Sequence, residues 1–126
     1  MNNYFKDTID KIYVINLDRD KERLKFVKKE FERYGYNDLE RIPGIMGKNL
    51  PDKDLYMKRL DPIGNNLHAA YGIAKSHMSI YKKMLDENIK DALIIEDDIK
   101  LTPLIKKFKK IYDSLPENWD IVWIGN

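Results

Sequence analysis

Ala92-Leu93-Ile94-Ile95-Glu96-Asp97-Asp98 runs from apolar to acidic without a break. Four apolar residues with no polar alternation describe a strand buried on both faces, as in a parallel sheet. The carboxylates begin where that strand ends, and open α/β sheets collect their ligand groups just beyond the carboxyl ends of strands. Adjacent carboxylates repel, at a cost of about 1 kcal/mol per close pair in water. A divalent cation reverses the sign of that interaction, and carboxylate oxygens suit hard ions such as Mg²⁺, Mn²⁺ or Ca²⁺. In an extended backbone Glu96 and Asp98 face one side and Asp97 the other, so Glu96 and Asp98 form the candidate metal pair. The plain alternative is an acidic strand-to-helix connection that only caps and solubilises.

Toward the N-terminus, Lys11-Ile12-Tyr13-Val14-Ile15-Asn16-Leu17 reads as another buried strand. Asp18 or Asp20 is placed to cap the helix after it. That helix carries Leu24, Val27, Phe31 and Tyr34 at helical spacing, and Gly35 is placed to stop it. Glu40-Arg41-Ile42 reads as a short strand ending at Pro43-Gly44, which makes a strand-helix-strand unit and predicts a parallel pair. Residues 44–67, with Gly44, Gly47, Pro51, Pro62 and Gly64, read as a long functional loop. From Ala70 to Leu85 an apolar stripe of Ala70, Ile73, Ala74, His77, Ile80, Tyr81, Met84 and Leu85 predicts a helix stopping at Asn88. Beyond the acidic run, Thr102-Pro103 opens a helix with Leu104, Ile105, Phe108, Ile111, Tyr112 and Leu115 on its core face. Asp120-Ile121-Val122-Trp123-Ile124-Gly125 is expected as a final strand. The sum is an α/β sandwich of Rossmann type with a mostly parallel sheet, read as one domain over residues 1–126. Because the sequence stops directly after that last strand, the sheet is expected to be incomplete at the C-terminus.

Composition narrows the function. The sequence holds 23 basic and 21 acidic residues, a near balance that offers no whole-molecule field for nucleic acid. The basic runs Lys28-Lys29 and Lys106-Lys107-Phe108-Lys109-Lys110 read as solvated helix faces, with peripheral contact to anionic lipid or a polyanionic acceptor as the alternative. Cysteine is absent, which removes disulfides, zinc-thiolate sites and thiol catalysis. No apolar h-region opens the sequence and no stretch approaches a membrane span, so a cytoplasmic location is the expectation.

Five short blocks, in order, resemble glycosyltransferase family 25, which includes lipopolysaccharide and collagen hydroxylysine galactosyltransferases. They are Ile12-Tyr13-Val14-Ile15-Asn16-Leu17 followed by Arg23, then Ile45-Met46-Gly47-Lys48-Asn49-Leu50, then Tyr71-Gly72-Ile73-Ala74-Lys75-Ser76-His77, then Leu93 to Asp98, then Trp119 to Gly125. The resemblance implies a GT-A type fold, a UDP-sugar donor such as UDP-galactose, a divalent cation (Mn²⁺, with Mg²⁺ as the second choice), and inverting transfer of a hexose to a hydroxyl. The acceptor so implied is a glycan, a lipid-linked glycan or hydroxylysine. It assigns metal and diphosphate binding to Glu96 and Asp98, and donor binding to Asn16, Leu17, Arg23, Gly47, Ser76, His77 and Asp97. Asp97 would stand behind the metal ligands or face the ribose.

Each assignment has a structural alternative. Asn16 can simply end its strand, Arg23 can be a surface residue, and His77 can be a hydrogen-bonded core histidine. Trp119 and Trp123 can stack on sugar or base, but aromatics of this size mostly fill cores. Met46 stands where the family usually has an acidic residue before its glycine. No general base is assigned; Asp61 and Asp120 are candidates only as carboxylates near loop or strand ends. Two functions follow: a metal-dependent glycosyltransferase, or a non-catalytic nucleotide-sugar-binding module that works with a partner enzyme. The acidic run also resembles the pocket of phospho-receiver domains, but there it follows the first strand. Here it follows the third, and too little chain remains for the later Asp and Lys a receiver needs.

Overall fold

A computed structural model describes residues 4–5, 8–49 and 68–125. Three strands, β1 (Lys11–Asn16), β2 (Glu40–Pro43) and β3 (Ala92–Glu96), form one sheet in the order β2-β1-β3. Both pairings are parallel, with Tyr13 opposite Glu40 and Ile94, and Ile15 opposite Ile42 and Glu96. Two α-helices separate the strands, α1 (Lys21–Glu32) and α2 (His68–Glu87), and a short α3 (Phe108–Asp113) follows.

The pleat of β1 builds both cores. Ile12 and Val14 point to one face, where they meet Val27 and Phe31 of α1, Ile95 of β3, Phe5 and Phe108. Tyr13 and Ile15 point to the other, against Ile42 of β2 and Ile80 of α2. Each of these side chains gains about 1.5–3 kcal/mol by leaving water. The result is three layers, α/β/α, with α1 and α2 on opposite faces of the sheet. Phe5 is a core residue with no counterpart in the sequence reading. Its ring lies 5.4 Å from that of Phe31 and 4.9 Å from that of Phe108.

The helix stops at Gly35 and Asn88 are as expected. Gly35 (φ 82°) and Asn88 (φ 56°) adopt the left-handed conformation. The next amide in each case returns to the last turn, Tyr36 N–H to Phe31 O at 3.0 Å and Ile89 N–H to Met84 O at 2.9 Å. The caps at the other ends differ from expectation. Asp20 and Thr102 occupy the N-cap positions, but neither side chain makes a capping hydrogen bond. Asp18 is drawn instead to Arg41.

Three further expectations need correction. Asp120–Gly125 forms no strand; Ile121 and Trp123 are 70% and 89% exposed. β-branched residues favour extended backbone, but a strand requires a neighbour to take its N–H and C=O groups, and among the described residues none does. The helix after Thr102 is a 3-10 segment (Pro103–Lys107) leading into the short α3, with Leu104 and Ile111 exposed. Phe108, seated against Phe5, is its one buried anchor; Ile105 packs beside the core and Tyr112 and Leu115 are half-buried, so only part of the apolar face stays in water. On α2 the buried line runs through Gly72, Ser76 and Ile80, while Ile73, Tyr81 and Leu85 are outward. Small residues let the helix backbone approach the sheet-end loop, and that approach overrides the more apolar stripe in setting the rotation of the helix.

The lysines of both basic runs are exposed, as solvated faces should be, and Lys109 pairs with Asp113. Among the described residues, no helix is long and apolar enough to cross a membrane.

Candidate functional site

The sheet order dictates where a cleft must lie. From β1 the chain moves sideways to β2, then crosses back to the far side of β1 to lay down β3. The two connecting helices therefore cover opposite faces, and a crevice opens at the carboxyl ends of the strands, where the direction reverses. A cleft of about 470 Å³ occupies that position. β1 and the turn into α1 supply Ile15, Leu17, Arg19, Asp20 and Arg23. The segment after β2 supplies Gly44, Ile45, Met46 and Gly47. α2 supplies Ala69, Ile73 and Ser76, and β3 ends in Glu96, Asp97 and Asp98. One wall is thus apolar and backbone-rich, and the other is charged.

The extended backbone assumed for the acidic run stops at Glu96, the last residue of β3, and Asp97 and Asp98 form the turn that follows. Glu96 and Asp98 are exposed, whereas Asp97 is buried. A buried carboxylate needs partners, and Asp97 has two: Asn16 Nδ2 donates to its Oδ2 at 2.7 Å, and Arg23 Nη1 lies 3.7 Å from its Oδ1. Glu96 and Asp98 enter none of the ion pairs found among the described residues. Among the described residues no three His, Cys, Asp or Glu side chains converge into a closed metal cage. Mg²⁺-like ions are commonly held by one or two carboxylates, with substrate phosphate and water completing the shell. Two unengaged carboxylates beside a cleft fit that half-site.

Of the residues expected at the donor, Leu17, Arg23, Gly47, Ser76 and Asp97 line the cleft. Asn16 stands behind it, buried and bonded to Asp97 and to the carbonyl of Asp20 at 2.9 Å. Ser76 is the middle of a clip. Its Oγ donates to Gly72 O at 2.8 Å and accepts from Ile45 N–H at 2.9 Å, which fastens the backbone of the cleft wall to α2. The Tyr71–His77 block lies inside α2, which begins at His68, two residues before the expected start at Ala70. His77 does not line the cleft; its ring sits 6.2 Å from that of Tyr81. Trp119 packs edge-on against Tyr112, and Trp123 is exposed. Asp120 is exposed and away from the cleft. Asp61 and Leu50, and the side chains of Lys48 and His68, lie outside the described residues.

Sequence reasoning missed Arg19, Asp20, Ile45 and Ile73 as cleft walls, and it missed Arg41. The signal for Gly72 was present as the small-residue pair Gly72 and Ser76, one helical turn apart. A Cβ at Gly72 would stand 2.2 Å from Ile45 O, so only glycine allows this helix-to-loop contact.

Comparison with known proteins identifies the family. The family model described as glycosyltransferase family 25 (LPS biosynthesis protein) matches residues 9–124. A glycosyltransferase 25 family member of Anopheles gambiae is 30% identical over 95% of this chain and 22% of its own length. One of Aedes aegypti is 30% identical over 93% and 21%. Human procollagen galactosyltransferase 2 is 25% identical over 92% and 20%. The chain spans about a fifth of the length of these relatives. With the family match running from the start of β1 through the acidic run, the chain belongs to glycosyltransferase family 25.

Proposed function

We propose that this chain forms the donor half of a glycosyltransferase site, of GT-A type, which binds a UDP-sugar with a divalent cation and passes a hexose to an acceptor hydroxyl with inversion. One observation carries the reading: two carboxylates, Glu96 and Asp98, that pair with no cation among the described residues line a cleft that also holds Arg19, Arg23 and an apolar wall, at the switch point of a parallel sheet. Glu96 and Asp98 would hold Mn²⁺ or Mg²⁺. Such an ion, when bound, supplies positive charge against the charge that develops on the diphosphate as the sugar departs. Arg19 and Arg23 draw the anionic donor in and orient it. Leu17, Ile45, Met46 and Ile73 cover the flat face of the base and exclude water there. The name of the human relative supports galactose as the sugar and a collagen hydroxyl as one acceptor class.

A second reading, donor binding without turnover, is favoured by one fact: Met46 lines the cleft where the family usually has an acidic residue. It predicts donor binding with no UDP release on any acceptor.

Calorimetric titration of UDP with and without Mn²⁺ tests the donor site. The expected result is Mn²⁺-dependent binding that disappears in Asp98→Ala while the thermal transition remains. Metal-dependent binding retained by a folded Asp98→Ala protein refutes the ligand assignment, and no binding by the unaltered protein refutes the donor site.

A further inference from the structure

Arg41 lies on β2 opposite Val14 of β1, two residues before the end of the strand, and its side chain reaches over the carboxyl end of β1. It makes three hydrogen bonds there. Nε donates to Asn16 Oδ1 at 2.9 Å, Nη2 to the main-chain oxygen of Asn16 at 3.0 Å, and Nη2 to Asp18 Oδ1 at 2.5 Å. The same Asn16 oxygen accepts Gly44 N–H at 2.9 Å, so the guanidinium also secures the point where the cleft wall leaves β2.

The bond to Oδ1 has a particular chemical effect. An asparagine amide has two orientations of nearly identical shape, distinguished only by which end donates. In the observed one, Nδ2 serves Asp97 Oδ2 at 2.7 Å and Asp20 O at 2.9 Å. The flipped amide would set oxygen against a carboxylate and a carbonyl, and set NH₂ against a guanidinium. A guanidinium carries donors and no acceptor, so Arg41 favours the orientation that turns Oδ1 toward it. Asp97, held by that amide, sits between Glu96 and Asp98 and pairs with Arg23.

We propose that Arg41 is a positioning residue for the acidic end of the cleft, acting through Asn16 and Asp97 to fix how Glu96, Asp98 and Arg23 are presented. This rests on the reading of the cleft as a nucleotide-sugar site. Lysine does not replace it, because a single ammonium cannot supply the fixed Nε and Nη2 fork.

The test combines two readouts on Arg41→Ala, Arg41→Lys, Asn16→Ala and the Arg41→Ala/Asn16→Ala double variant. The first is the affinity for UDP with Mn²⁺, by calorimetry. Each single variant should weaken binding roughly tenfold, the size expected when a charge-assisted hydrogen bond at a site is lost. Because both act along one relay, Arg41→Ala should add less than about twofold in the Asn16→Ala background. The second readout needs no ligand: the side-chain amide protons of Asn16 by NMR. In the unaltered protein they should be shifted by the carboxylate and slow to exchange, and both signatures should vanish in Arg41→Ala and Arg41→Lys. Additive losses of affinity, full rescue by lysine, or an unchanged Asn16 amide in Arg41→Ala each overturn the relay. If the unaltered protein binds no UDP, the nucleotide-sugar reading fails, and the amide readout still decides whether Arg41 orients Asn16.

Discussion

Replacing Gly72 with alanine sets two effects of opposite sign against each other. Alanine in a helix interior is favoured over glycine by about 1 kcal/mol, so on an open helix face the change would stabilise. At Gly72 the new Cβ would lie 2.2 Å from Ile45 O, 2.7 Å from Gly47 N and 3.2 Å from Ile45 C. Those neighbours are backbone and cannot rotate away, so α2 and the 45–47 segment must part by about 1 Å to restore van der Waals contact. Overpacking of this kind costs about 1–3 kcal/mol. Parting also breaks the Ser76 Oγ to Ile45 N–H bond, worth about 1 kcal/mol. The net expectation is destabilisation by about 1–3 kcal/mol, read from urea unfolding midpoints, with weakened Mn²⁺-dependent UDP binding because the cleft wall has moved. Gly44→Ala is the control. Its nearest obstacle is the tip of the Leu17 side chain at 2.9 Å, which can turn aside, so it should lose less stability. A Gly72→Ala protein as stable as the original, or more so, would refute the close helix-to-loop approach and leave helix propensity as the governing term.

Three more outcomes are expected. Tyr13 is fully buried and its hydroxyl has no hydrogen-bond partner among the described residues; Tyr13→Phe should be neutral or stabilising by up to about 1 kcal/mol in urea unfolding, and a loss above that means the hydroxyl has a partner. Glu30 is buried and accepts Leu101 N–H at 3.0 Å while pairing with Arg33 at 2.9 Å; Glu30→Ala should cost about 1–3 kcal/mol by stranding that amide, and Glu30→Gln, which keeps an acceptor, should cost less. The Tyr112 hydroxyl donates to Asp91, and that bond foremost, then burial, pushes its pKa up to about 12. The folded value exceeds the unfolded one, so the stabilisation is complete below about pH 10 and is lost as pH rises from 10 through 12; in ultraviolet titration Tyr112→Phe should remove one group from the late-titrating tyrosines, which also include Tyr13 and Tyr36, both raised by burial.

β1 and β3 were legible as short apolar runs bounded by turn signals, β2 by its place before Pro43-Gly44, and the parallel order followed from the intervening helix. The acidic run was legible as a strand-end feature, but not its geometry, because the strand ends at Glu96 and a turn, not pleat, sets Asp97 apart from Asp98. Packing partners were not legible. Periodicity reports which residues are apolar but not whether another surface meets them, and for that reason Ile121–Ile124, Leu104 and the Ile73-Tyr81-Leu85 face were expected in contacts the described residues do not make. Side-chain hydrogen bonds were hidden too. Ser76 reads alike as a ligand contact or a clip until the position of Ile45 is known, and Arg41 carries no mark in sequence of a reach across to Asn16.

The five consecutive buried residues of β1, Ile12 to Asn16, bear on redesign of the cleft. Each serves a core on one face or the hydrogen-bonded floor, so exchanging one disturbs the scaffold together with the pocket. Ala69 and Ile73, which face the cleft from α2 and are exposed, carry no such duty, and half-buried Met46 adds a flexible side chain next to them. Libraries meant to alter what the cleft accepts should be concentrated at those three positions, where ligand preference can change without unsettling the sheet.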